Sequence, residues 1–160
     1  MENNEERIIN VHWEGPYEWK GKNTNSKIGH AIYSIYGSHH LYGRNVLLYI
    51  GMTKRDNLNH RLSEHRWVAQ RYDQTTVYLG SIGDFSTWKE WEQDDEETYD
   101  MPEEDVVKMV EALLIYSHQP AYNQKSKESA YAAKGIRIFN TGRMGQLFPE
   151  VSYRYFVDDL

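Results

Sequence analysis

Two short runs of β-branched and aromatic residues, close together in the chain, constrain the fold most strongly. Residues 31–36 read AIYSIY and residues 46–51 read VLLYIG, and a glycine-bounded linker, GSHHLYGRN, separates them. Runs of this composition favour strands, and two of them joined in this way predict an antiparallel hairpin with a long loop. The chain is therefore predicted to be built around a small sheet.

The segments that follow alternate between helical and strand patterns. From Asp56, an N-cap residue, apolar side chains recur at helical spacing and predict an amphipathic helix over 57–71. Residues 76–81 (TVYLGS) predict a third strand, and a second helix opens at Pro102 and stops before Pro120. These elements predict an α/β (α+β) domain with a small central antiparallel or mixed sheet flanked by helices.

The two ends of the chain have weaker patterns. Residues 1–27 show no clean period and predict an arm or irregular cap, whereas IRIF at 136–139 and VSYRYF at 151–156 predict strands. A length of 160 residues suits one domain. The predicted regions are an N-terminal arm or cap (1–29), a core (30–124) with an acidic insertion (84–105), and a strand-rich extension of the same domain (125–160).

The composition narrows the class of protein and its setting. The chain has no cysteine, which excludes a disulfide scaffold, a thiolate zinc site and a cysteine nucleophile. No window has the roughly 18 consecutive apolar residues of a membrane span, and the acidic N-terminus has no apolar signal core. We therefore expect a soluble, cytoplasmic protein with no membrane partner.

The charge is unevenly distributed. The net charge of -6 argues against a polyanionic partner, but residues 84–105 hold eleven of the 24 acids with one base, Lys89. The rest of the chain is net basic and can bind a phosphodiester backbone. The acidic segment is interpreted either as a solvated loop and helix start or as a segment that occludes a basic groove.

Several polar groups are predicted to converge. The hairpin puts Tyr33 and Tyr49 at corresponding points of adjacent strands, and the next helix carries Arg61 and His65 four residues apart. Glu111 interrupts an otherwise mostly apolar row of the second helix, and violations of this kind are expected at functional sites. Each residue alone also has an ordinary interpretation as strand packing, a solvated helix charge or a salt-bridged acid.

The order of these residues resembles that of the GIY-YIG nuclease superfamily. The match extends over residues 30–124, and the spacing between Arg61 and His65 looks most like the branch that contains type II restriction enzymes. Two departures are Ala31 in place of the usual first glycine and a slightly long spacing from Tyr49 to Arg61. The motif residues are Ala31-Ile32-Tyr33, Tyr49-Ile50-Gly51-Met52-Thr53, Arg61, Glu111 and Asn123.

The resemblance implies metal-dependent hydrolysis of a DNA phosphodiester. Glu111 would be the ligand for a single Mg²⁺ (or Mn²⁺), which needs few protein carboxylates. Arg61 would stabilise the negative charge of the transition state, and Asn123 would brace the site. Tyr33, Tyr49 and His65 all remain candidates for the group that orients or deprotonates the attacking water.

Basic residues supply candidate contacts to DNA. Arg137, Arg143 and Gln146 in the tail are candidates for base contacts, whereas the cations beside the proposed site are candidates either for phosphate contacts or for solubilising surface charge. A single site that cuts both strands would need a dimer or two encounters, so homodimer formation is left open. The candidate phosphate contacts beside the site are Lys54, Arg55, Arg66 and Arg71.

Two other functions fit the same sequence. A nucleic-acid-binding module of the same fold would be catalytically silent, and an acidic interaction or regulatory protein would use residues 84–105. Binding alone does not require a carboxylate in a site that faces phosphate, so Glu111 favours the endonuclease.

Overall fold

A computed structural model describes residues 5–18, 30–53 and 75–156. The strands are β1 (Arg7–Glu18), β2 (His30–His39), β3 (Gly43–Met52), β4 (Thr76–Phe85), β5 (Ile136–Gly142) and β6 (Glu150–Ser152). The helices are α1 (Trp88–Glu92) and α2 (Glu104–His118), with single 3₁₀ turns at Tyr131–Ala133 and Tyr153–Phe156.

The strands form one six-stranded sheet in the order β3-β2-β4-β1-β5-β6. Neighbouring strands are antiparallel except β1 and β5, which are parallel. The predicted mixed α+β class is therefore confirmed, as are the β2–β3 hairpin, the third strand that pairs with β2, and the helix that ends before Pro120.

The prediction of an irregular arm is wrong for residues 7–18. These residues form β1, which lies inside the sheet between β4 and β5. Ile9, Val11 and Trp13 alternate onto the face that α2 covers. The period was hidden because Asn10 lies on the other face and is also buried, with its amide bonded to the Phe139 carbonyl and the Thr141 hydroxyl.

Two further expectations for strands and helices need correction or fall outside the described ranges. Of the last strand predicted at 151–156, only Val151 and Ser152 pair with β5. The chain then turns into the 3₁₀ segment, where the Ser152 hydroxyl accepts the Arg154 N–H. The predicted helix over 57–71 lies outside the described residues.

The core is divided by the sheet into two clusters. The larger cluster joins α2 to the face that includes Ile32 on β2 and Ile50 on β3. The smaller cluster, on the opposite face, contains Tyr33, Ile35, Val77 and Leu79 with Tyr49 packed against them. Among the described residues, no helix combines the length and the apolar character needed to cross a membrane.

Candidate active site

Two tyrosines of the hairpin stack against each other on the face opposite α2. Tyr33 pairs with Gly51 and Tyr49 pairs with Ile35, so the two tyrosines are diagonal neighbours on one face rather than directly opposite. Their ring centroids are 6.1 Å apart and the ring planes differ by 26°.

Gly51 makes room for this ring pair. A methyl group at this position would lie 2.5 Å from Cζ and from the hydroxyl oxygen of Tyr33, and 2.8 Å from Cε1 of Tyr49. Those distances are too short for any side chain. Gly51 is thus required by the close approach of the Tyr33 ring to the β3 backbone, whatever its own backbone angles.

The two tyrosines differ in their exposure. Tyr33 is 0% exposed, whereas Tyr49 is half-buried. A molecule arriving from solvent therefore meets Tyr49 first, and Tyr33 supports its ring from beneath.

Asn123 joins a distant segment to the centre of the YIG sequence. Its Oδ1 accepts the Ile50 N–H at 2.9 Å, and its Nδ2 donates to the Ile50 carbonyl at 2.9 Å. The preceding residues also bond to β3, since the N–H groups of Ala121 and Tyr122 donate to the carbonyls of Leu47 and Leu48. Because Asn123 is buried, this bidentate contact fixes the backbone between Tyr49 and Gly51.

Glu111 lies on α2 in the row that the sequence predicts. Val107, Leu114 and Ile115 of that row are buried, and Glu111 is half-buried among them. Val107 shares a cleft with Met52, and α2 then runs back along β3 towards the segment that bonds Leu47 and Leu48. Because α2 covers the face opposite Tyr33 and Tyr49, a site that includes Glu111 and the two rings would have to lie at the edge of the sheet beside β3.

Sequence reasoning missed how the end of β3 is fixed. Thr53 is buried, its Oγ1 donates to the His30 carbonyl at 2.7 Å, and its N–H donates to the Ala31 carbonyl. Beside it lies a cleft of about 370 Å³. Glu103 and Glu104 at the amino end of α2 are among the described residues that line this cleft. The sequence signal for these two hydrogen bonds is the threonine directly after YIGM.

Several predicted site residues lie outside the described ranges. They are Lys54, Arg55, Arg61, His65, Arg66 and Arg71. Their roles as transition-state, relay and phosphate-contacting groups stay predictions from the sequence.

Of the two tail arginines, Arg137 lies far from the ring pair. Arg137 is on β5, four strands from β3, which corresponds to about 19 Å across the sheet. Its guanidinium donates to Glu6 at 2.7 Å and is also bonded to Glu150, and these contacts raise its pKa. Arg143 donates to the Gly15 carbonyl at 3.4 Å. The base contacts predicted for the two arginines remain untested, and Arg137 is already engaged by carboxylates.

His118 near the end of α2 has a structural role. Its Nδ1 lies 2.8 Å from the Leu114 carbonyl, and its Nε2 accepts the Phe148 N–H at 2.9 Å. Burial lowers the pKa of His118 below its usual 6.5. Within the described parts of the chain, no three His, Asp or Glu side chains form a metal-binding group.

The acidic segment is anchored to the sheet by aromatic residues. The rings of Trp88 and Trp91 lie 4.8 Å and 4.9 Å from that of Phe139 on β5. Further along, the Tyr99 hydroxyl donates to Asn10 Oδ1 at 2.7 Å, and burial together with nearby Asp94 raises the pKa of Tyr99 to about 12. Most of the acids between these anchors are exposed, so the segment presents a fixed negative surface rather than a detached loop.

Comparison of the chain with protein-family models, with curated proteins and with solved structures finds no match. The features that bear on function are the stacked tyrosines of the hairpin, the contact of Asn123 with Ile50 and the position of Glu111 on α2.

Proposed function

We propose that the protein is a cytoplasmic, metal-dependent DNA endonuclease of the GIY-YIG type. The observation that carries the proposal is the bidentate contact of Asn123 with Ile50. It links the late asparagine of the motif set to the middle of the YIG sequence, beside the stacked Tyr33 and Tyr49. An asparagine with a purely structural role would have no particular reason to form both of these hydrogen bonds with Ile50.

The donor chemistry fits a hard divalent cation. Mg²⁺ prefers one or two carboxylates together with water and substrate phosphate, so the half-buried Glu111 suffices as the protein ligand. The bound ion would supply charge neutralisation and polarisation of the phosphate.

The residues of this chain would divide the remaining work. Tyr49, the more accessible tyrosine, orients the attacking water, and Tyr33 positions the Tyr49 ring. His65 remains the competing base or relay. Arg61 provides a planar pair of donors for the negative charge that grows on the phosphate as the P–O bond breaks.

The test is plasmid cleavage by the full chain and by Glu111→Gln, with Mg²⁺ or Mn²⁺ and with a chelator. We expect the wild type to cleave only with the ion and the variant to lose cleavage. Without metal, the variant should bind DNA as tightly as the wild type or more tightly, since a negative charge near phosphate is removed.

Glu104→Gln is the matched control. Glu104 lies on the same helix, is half-exposed and pairs with Lys108 at 3.3 Å, so its loss should leave cleavage unchanged. The proposal is wrong if the wild type cleaves neither DNA nor RNA with either ion, or if Glu111→Gln cleaves normally.

One observation favours the second function, a catalytically silent nucleic-acid-binding module. Tyr33 is fully enclosed, so its hydroxyl acts on substrate only if the site opens. Tight DNA binding with no cleavage under any metal condition would support this function over the endonuclease.

A further inference from the structure

The tip of the β2–β3 hairpin carries a stack of aromatic rings. The His39 ring lies 4.5 Å from that of Tyr42 with the planes 19° apart, and 4.6 Å from that of His40 with the planes 26° apart. The ring of Tyr122, from the segment that borders β3, lies 5.5 Å from His39. Four rings from two chain segments therefore meet at one end of the hairpin.

The stack is ordered before any ligand binds. His39 Nδ1 accepts the N–H groups of Leu41 and Tyr42 at 3.1 Å and 3.2 Å, which fixes the His39 ring against the turn. Leu41 and Tyr42 are nonetheless 74% and 70% exposed. A ring held in place yet open to solvent can bind a flat partner with little further loss of conformational entropy.

The charge around the stack selects the kind of partner. Residues 30–53 contain no Asp or Glu, although the chain has 24 acids, and Arg44 lies exposed two residues after Tyr42. The adjoining residues 119–127 also lack acids and carry Lys125 and Lys127. Aromatic rings interleaved with cations and free of carboxylates are typical of surfaces that bind single-stranded nucleic acid.

We propose that the stack of His39, His40, Tyr42 and Tyr122 is a platform for unpaired bases of a nucleic acid. The exposed Tyr42 ring receives the base, Arg44 and Lys125 attract the backbone, and neither reads the sequence. The inference rests on the proposed function only in taking the ligand to be a nucleic acid.

The distance to the tyrosine pair indicates an extended ligand. Tyr42, in the turn just before β3, precedes Tyr49 by seven residues, or at most roughly 23 Å along the strand direction. That distance corresponds to about seven base steps of 3.4 Å, so only a polymer can reach both places at once. The preferred substrate then has unpaired bases several steps away from the phosphate that is cut.

The experiment measures binding with a chelator present, so that no cleavage occurs. The ligands are a labelled blunt duplex and the same duplex with a single-stranded tail of about ten nucleotides. We expect the wild type to bind the tailed duplex about tenfold more tightly, and Tyr42→Ala to bind both alike. The base analogue 2-aminopurine in the tail should be quenched by the wild type and not by Tyr42→Ala.

Two variants separate stacking from other effects. Tyr42→Phe keeps the ring and should keep the preference for the tail. Tyr131→Ala removes a tyrosine of matching exposure, 72%, from the 3₁₀ turn after α2, and should also keep it. A loss of preference in Tyr131→Ala would show a general effect of removing exposed rings and would overturn the proposal.

The remaining outcomes separate the two proposals. If the wild type cleaves DNA with Mg²⁺ but binds the two ligands equally, the platform is wrong and the endonuclease stands. If Tyr42 carries a preference for the tail and no cleavage occurs with any metal, the platform stands and the endonuclease is wrong. If the wild type binds neither ligand, the platform is wrong.

Discussion

The two ends of the sheet hold their cations differently. At the β5–β6 end, the arginines are paired with acids, because Arg137 contacts Glu6 and Glu150 and Arg154 lies 3.7 Å from Glu6. At the β2–β3 end, no carboxylate lies within residues 30–53, and Arg44 is exposed. The arginines thus stabilise the fold at the β5–β6 end, whereas Arg44 at the β2–β3 end is accessible to a ligand.

This difference explains why a net charge of -6 is a poor guide to the partner of this chain. Paired arginines contribute little to the field that a phosphate meets at a distance, whereas an exposed cation such as Arg44 contributes more. Variants at the two ends of the sheet test this difference.

The largest effect is expected from Asn123→Ala. This change removes the Asn123 partners of the Ile50 N–H and carbonyl on β3. Because both groups are then left unbonded, the free energy of unfolding should fall by about 2 to 4 kcal/mol. Urea unfolding measures this loss. Gln124→Ala, at the exposed neighbouring position, should have no effect, and equal losses in the two variants would show that the bidentate contact contributes nothing.

The next effect compares one arginine from each end. Arg137→Ala removes the nearer of the two arginines beside the nearly enclosed Glu6 and should cost about 2 kcal/mol of stability, with DNA affinity unchanged. Arg44→Ala should leave stability within about 0.5 kcal/mol and reduce the salt dependence of DNA binding by about one phosphate contact. If Arg137→Ala weakened DNA binding in folded protein, the tail arginine would be a DNA contact, as predicted from the sequence.

A smaller effect is expected from neutralising exposed acids of the anchored segment. Changing Asp95, Glu96 and Glu97 to Asn or Gln should tighten DNA binding roughly two- to threefold at low salt, because charges within about 10 Å remain coupled there. The control alters the net charge equally at Glu5, Glu18 and Glu128. Matching affinities for wild type and both variants at every salt concentration would favour the solvated-loop interpretation.

The smallest expected effect is on the pH dependence of stability. It involves His118, which accepts the Phe148 N–H and so joins α2 to the loop between β5 and β6. Because the folded state lowers the pKa of His118, the unfolded chain binds more protons, and stability falls as pH drops below about 6.5. His118→Gln should flatten this part of the profile of unfolding free energy against pH. A variant profile parallel to that of the wild type would show that other groups cause the dependence.

The sequence predicted most accurately the elements that form through contacts between residues close together in the chain. The β2–β3 hairpin and α2 carry their own periodicity and their own stop signals, such as Pro120. The β1 strand has no such periodicity, because Asn10 on its other face is also buried and forms hydrogen bonds to β5. Asn10 and Phe139 are 129 positions apart, and no local pattern announces their contact.

The candidate site was predicted in its residue types and less well in its geometry. Tyr33 and Tyr49 are neighbours as expected, but the full enclosure of Tyr33 depends on packing that the sequence does not record. Asn123 was expected to brace the site only through the family resemblance. Its choice of Ile50 as partner could not be derived from spacing, since 73 positions separate the two residues.

The segment that follows α2 also covers part of an edge of the sheet. Because β3 is the outermost strand at its end of the sheet, its free N–H and carbonyl groups would offer a template to a strand of another molecule. Ala121, Tyr122 and Asn123 occupy those groups at Leu47, Leu48 and Ile50. A chain interrupted before residue 121 would therefore expose these groups at the sheet edge and would be more prone to pair with a strand of another molecule.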